Sequence, residues 1–133
     1  MDLKDNVDID KQYFVDEFLK LLAFAENYYK LGMWIAFYNS GLVIAFICVQ
    51  TQHYSLAAKV YSLFSTMLVA AKEYRLALYM ARKLRNASHT AKDCLMKMYA
   101  YKQMGYINSE LQRYDSAILC FKHMLALAWT CRS

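Results

Sequence analysis

The sequence predicts an all-α fold, antiparallel helical hairpins stacked as a short α-solenoid of about six helices, in one domain over residues 1–133. Three observations carry this. The 133 residues include no proline and only three glycines, too few turn formers for a sandwich or barrel, which needs a turn signal roughly every 8–12 residues. Apolar residues recur at spacings of three and four, the helical period. The polar breaks between these stretches are short, which makes sequential helices antiparallel neighbours. With 59% hydrophobic residues the chain exceeds the roughly 45–50% of an ordinary domain, so it can fill a core and still leave apolar surface.

The first helix runs from Asp10 to Leu31, where Phe14, Phe18, Leu21, Leu22, Ala25, Tyr28 and Tyr29 share a face. Asp8 or Asp10 suits its N-cap and Gly32 its stop. A second helix is expected over Met33–Gln52. A third covers Ser55–Ala71, with Leu56, Val60, Tyr61, Phe64, Met67, Leu68 and Ala71 as its buried stripe. The fourth spans Glu73–Asn86 and ends in the polar segment Asn86–His89. Thr90 then opens the fifth, with Asp93 three residues on in the manner of a capping box, and that helix runs to Leu111. The sixth covers Asp115–Trp129.

Charge is unevenly distributed. Residues 1–30 carry a net −3, whereas residues 54–133 stand at +8, so an acidic partner surface would be steered to the basic portion. Its densest cluster, Arg82, Lys83 and Arg85, is read first as cations complementing a helix C-terminus. No arginine-rich tract, RNP-like motif or zinc-finger spacing points to nucleic acid. From Leu31 to Ala58 there are 28 residues without Asp, Glu, Lys or Arg, a length that could cross a bilayer, which needs roughly 20 apolar residues. Asn39, Ser40 and Gly41 interrupt its middle, where lipid offers polar groups no partner, and this favours a helix buried in protein. The acidic start MDLKDNVDIDK resembles neither a secretory signal nor a presequence. Four cysteines, at 48, 94, 120 and 131, form no CxxC pair and are read as free thiols of a reducing compartment, because a helical domain of this size needs no staples.

Three segments repeat a local pattern: Tyr54 with Ala57, Tyr74 with Ala77, and Tyr114 with Ala117, each followed four residues later by Tyr61, Ala81 or Phe121. A small Ala lets two helices approach, and the residue one turn on plugs the neighbouring groove. On these residues the chain resembles the tetratricopeptide repeat family. The best match is residues 98–129, through Tyr101, the Met104-Gly105 pair, Tyr114, Ala117 and Phe121, with Asn108 where the family has an aromatic and Trp129 where it has its closing proline. A weaker match over residues 58–86 runs through Tyr61, Phe64, Tyr74, Ala77 and Ala81, with Ser65 in place of the family glycine; residues 1–52 are similar only as helices.

The resemblance implies a non-catalytic interaction or scaffold subunit of a larger intracellular assembly. Its partner is expected on the surface lined by the first helix of each hairpin: Lys59, Ser62 and Thr66 on one, Tyr99, Lys102, Tyr106, Ser109 and Glu110 on the next. In the family's clamp for C-terminal carboxylates an inner Lys fits Lys102, but Tyr106 stands where the Asn would be. The last helix is apolar around its whole circumference, and Leu119, Leu127 and Trp129 are expected to be covered by another protein, a second copy or a membrane surface. No phosphate loop, HExxH, GxSxG or paired carboxylates are present, so neither an enzyme nor a cofactor is expected. Cys120 and His123 with Cys94 and His89 could in principle supply zinc ligands, but their spacing matches no known zinc module, and Cys120 reads better as apolar filling. Asn86-Ala87-Ser88 fits a sequon and is read as a loop. The expected setting is cytoplasmic, with cytoskeletal and ciliary complexes permitted by the resemblance. The runner-up is a small membrane-embedded accessory subunit anchored through residues 31–49.

Overall fold

The computed structural model describes the backbone of residues 3–131 and the side chains of residues 11–131. These form six helices: α1 (Leu3–Lys30), α2 (Trp34–Gln50), α3 (Tyr54–Ala70), α4 (Tyr74–Thr90), α5 (Cys94–Glu110) and α6 (Tyr114–Cys131). Each packs on the next, and the second-neighbour pairs α2 with α4 and α3 with α5 also touch. The Tyr29 hydroxyl donates to the Met67 carbonyl at 3.2 Å, which ties α1 to α3. The array is therefore a two-layered solenoid with α1, α3 and α5 in one layer and α2 and α4 in the other, as the short connections predict.

The turns explain a regularity the sequence conceals. From α2 onward the helices begin at residues 34, 54, 74, 94 and 114, a strict period of 20. At each junction one residue has left-handed backbone: Gly32, Gln52, Lys72, Lys92 and Gln112. The same pair of backbone bonds recurs around each; at the third, Lys72 N–H donates to Val69 C=O and Glu73 N–H to Leu68 C=O, both at 2.9 Å. This is the Schellman arrangement, which satisfies the last carbonyls of one helix and turns the chain directly into the next. Only Gly32 is the residue type that conformation favours. A non-glycine residue there gives up about 1–2 kcal/mol, partly offset by the backbone entropy glycine loses on folding. Lys72→Gly is thus expected to raise stability by about 0.5–1 kcal/mol, read as a higher urea midpoint, while Lys72→Ala brings no gain; a lower midpoint for the glycine variant would refute the account.

Several boundaries move as a result. α4 does not stop at Asn86 but continues to Thr90, whose hydroxyl donates to the Asn86 carbonyl at 3.2 Å. The expected loop and sequon at Asn86–His89 are helical, with Ser88 fully buried and bonded to Leu84 C=O at 2.6 Å. Thr90 is not the cap of α5. Asp93 is, its carboxylate accepting the Met96 N–H at 3.0 Å. Asp8 and Asp10 fall inside α1, which starts at Leu3, so neither residue begins that helix. Tyr54, Tyr74 and Tyr114 do open their helices, and Ala57, Ala77 and Ala117 are buried as expected. A two-helix unit repeats after 40 residues, compared with about 34 in a tetratricopeptide unit, and Tyr101 stands in the middle of α5 instead of at its start.

The core lies between the layers. Phe37 of α2 and Phe64 of α3 stack with centroids 4.4 Å apart, both essentially inaccessible, and Met80 of α4 closes over them. Gly41 is what admits Phe64: a Cβ there would lie 2.6 Å from its ring. The polar interruption in the long uncharged stretch is therefore a close-packing point. At the other end Phe121 of α6 lies over Gly105 of α5 in the same manner, at 2.7 Å from a notional Cβ, as the plug-and-groove reading predicts. Asn108, buried beneath, donates to the Met104 carbonyl at 2.9 Å and points at the Cys120 sulfur. α2 spans about 25 Å, short of the roughly 30 Å hydrocarbon core, and buries Phe37, Ile44, Ala45 and Cys48 in protein. No helix among the described residues is long and apolar enough to cross a membrane, which speaks against the runner-up, an anchor over residues 31–49, and accords with the preferred reading of a helix buried in protein.

The cysteines also differ from the expectation of four free thiols. Cys94, at the start of α5, is bonded to Cys131, at the end of α6, with their α-carbons 5.9 Å apart. The bridge closes the open end of the last hairpin. Cys48 and Cys120 are free and buried.

Candidate interaction surfaces

Side-by-side packing of α3 and α5 makes their outward residues one face. The Thr66 hydroxyl meets the Tyr99 hydroxyl at 2.8 Å, and Gln103 donates to both, at 3.3 Å to Thr66 and 2.9 Å to Tyr99. Thr66 also donates back to the Ser62 carbonyl at 2.8 Å. Thus Ser62, Thr66 and Tyr99, expected from sequence on one surface, are joined. Gln103 belongs with them, and its position four residues after Tyr99 on the same helix face was the signal available for it. Lys59 and Lys102 are exposed on α3 and α5, and Ser109 is half-buried.

Tyr106 and Glu110 are exposed but serve a different neighbour. Both act on the phenol of Tyr74 at the start of α4: desolvation first, then the nearby Glu110 and Tyr106, push it above its usual range. The antiparallel run of α4 and α5 brings the start of one to the end of the other, so the expected face divides between a Thr66–Tyr99 centre and a Tyr74–Tyr106–Glu110 rim.

α6 is covered on one side only. Ala117 and Cys120 are buried and Phe121 is half-buried, whereas Ile118, Leu119, Leu125 and Trp129 are exposed, Leu119 at 57%. Leu127 is half-buried, so of the three residues expected to await a partner it is the least available.

Arg82, Lys83 and Arg85 do not lie in a last turn. Because α4 runs to Thr90, they sit at its middle and His89 is the basic residue of its final turn, so complementing the helix dipole, which acts within the terminal turn, does not account for them. Arg82 stands over the Tyr79 ring at 5.9 Å. The ion pairs among the described residues, Lys20 with Glu17 and Lys30 with Glu26, both lie in α1.

The residues considered for zinc are dispersed. Cys94 is in the disulfide, His89 meets Lys97 Nζ at 3.0 Å, and His123 stacks on Tyr101 at 4.9 Å. Burial raises the thiol of Cys120 above its usual range, opposed by the Asn108 hydrogen bond and by Arg85 and Arg82; burial likewise raises Cys48. Both thiols are accordingly poor nucleophiles. Among the described residues no three His, Cys, Asp or Glu side chains gather as metal ligands. In comparisons with protein-family models, curated proteins and solved structures, nothing matches this chain.

Proposed function

We propose that this chain is a non-catalytic scaffold subunit of a larger assembly, taking a protein partner on the α3–α5 face and a second contact on α6. The observation that carries the reading is the Thr66–Tyr99–Gln103 network, which fixes two helices of successive hairpins as a single polar surface. Stacked hairpins present such extended surfaces and bind through them. The apolar residues on the outer side of α6 support a further contact, because an exposed apolar patch marks an interaction surface, and here Ile118, Leu119 and Leu125 are each more than half exposed.

The test is size exclusion of native lysate without detergent, with mass spectrometry of what co-elutes. The wild-type chain is expected in a particle much larger than its own 15.6 kDa, and Leu119→Glu, a change on an exposed position that spares the core, is expected to release it. Elution of the wild type alone would sink the scaffold reading; an unchanged complex for Leu119→Glu would remove α6 from the interface.

A further inference from the structure

The opposite layer holds a groove of different chemistry. α2 and α4 are its walls and α3 its floor. Two adjoining hollows, of about 460 and 250 Å3, share Val49, Tyr61 and Lys83 and so form one continuous depression. The α2 wall is apolar, with Val43 and Phe46 at 51% and 60% exposure. The α4 wall is cationic and polar: Lys83 lines both hollows and Asn86 and Thr90 follow at the far end. Tyr61 is half-buried at the floor.

Charge identifies the occupant. α2, α3 and α4 carry no Asp or Glu, and the basic side chain that lines the groove is Lys83, with the exposed Arg82 one residue before it on α4. Both belong to the mid-helix cluster for which the helix dipole gives no account. We infer that the α2–α4 groove docks an acidic amphipathic helix of a protein partner, its apolar side against Val43, Phe46 and Val49 and its carboxylates toward Lys83 and Arg82. An amphipathic helix laid in an apolar groove is an established mode of recognition, read through anchors at helical spacing. The cationic wall adds encounter rate and orientation. A polyanion such as single-stranded nucleic acid would satisfy the lysine but leave the α2 wall in water. This surface is separate from the α3–α5 face, and its occupancy is tested independently of that one.

The probe is a fluorescein-labelled peptide of about 18 residues, long enough to lie along α4, with leucine at helical spacing and glutamate elsewhere; a second peptide carries lysine for glutamate. Fluorescence anisotropy with the full chain is expected to show micromolar binding of the glutamate peptide alone. Lys83→Glu should weaken it at least about tenfold and let the lysine peptide bind, and Phe46→Ser, a second exposed position, should weaken it as well. Circular dichroism checks that both variants keep their helices. The inference is overturned if the glutamate peptide does not bind or the lysine peptide binds the wild type equally. It also fails if Lys102→Glu on the α3–α5 face weakens binding as much as Lys83→Glu, or if Phe46→Ser has no effect while an oligouridylate displaces the peptide, which would leave only a polyanion surface.

Discussion

Phe64→Ala is expected to lower the stability of the array by about 3–5 kcal/mol, the cost of deleting a buried aromatic and leaving a cavity. The neighbours cannot refill the space. Phe37 stacks on that ring at 4.4 Å, and Gly41 faces it with no side chain to extend. Since a domain of this size holds about 5–15 kcal/mol in all, the loss is a large fraction of the total and should appear as a marked drop in the urea midpoint. Leu63→Ala is the control, because Leu63 is next in sequence but 49% exposed. A Phe64→Ala loss no greater than the control would show that the α2–α3–α4 junction is not the principal core.

The second large effect concerns the Cys94–Cys131 bridge. Its ends are separated by 37 residues, and in the chain-entropy account closing a loop of that length stabilises by about 4 kcal/mol. Among the described residues α6 packs on α5 alone, so reduction should free the end of α6 and unfold this hairpin before the rest. Unfolding with and without reductant, beside Cys131→Ser, measures it: the reduced wild type and the variant are expected to share one lowered midpoint. Alkylation in denaturant without reductant should label two cysteines of the four. Four labelled thiols, or a midpoint indifferent to reductant, would refute the pairing.

The expectation of free thiols had a clear physical basis and failed for one equally clear. Spacing in sequence carries no information about the first and last residues of an antiparallel hairpin, which meet at its open end. Only the packing of α6 on α5 brings residue 94 to residue 131. The same holds for α4. Asn86-Ala87-Ser88-His89 contains residues that favour caps and turns, yet the buried Ser88, bonded to Leu84 C=O at 2.6 Å, keeps the helix going for its full 17 residues. That extension moves Arg82, Lys83 and Arg85 from a helix end to its middle and sets Lys83 on a groove wall.

The sequence by itself determined the helical fold, the number of helices and which residues face inward. Apolar spacing records burial directly, and the Tyr–Ala pairs mark where Tyr54, Tyr74 and Tyr114 open their helices. It also placed Thr66 and Tyr99 on one surface and Phe121 against its neighbouring helix. The turn geometry and the groove were decided by the tertiary structure. Schellman turns are made of backbone bonds, so Gln52, Lys72, Lys92 and Gln112 can occupy the left-handed position without any residue signature. A groove between α2 and α4 exists only once α3 has set the two helices side by side with Tyr61 beneath them.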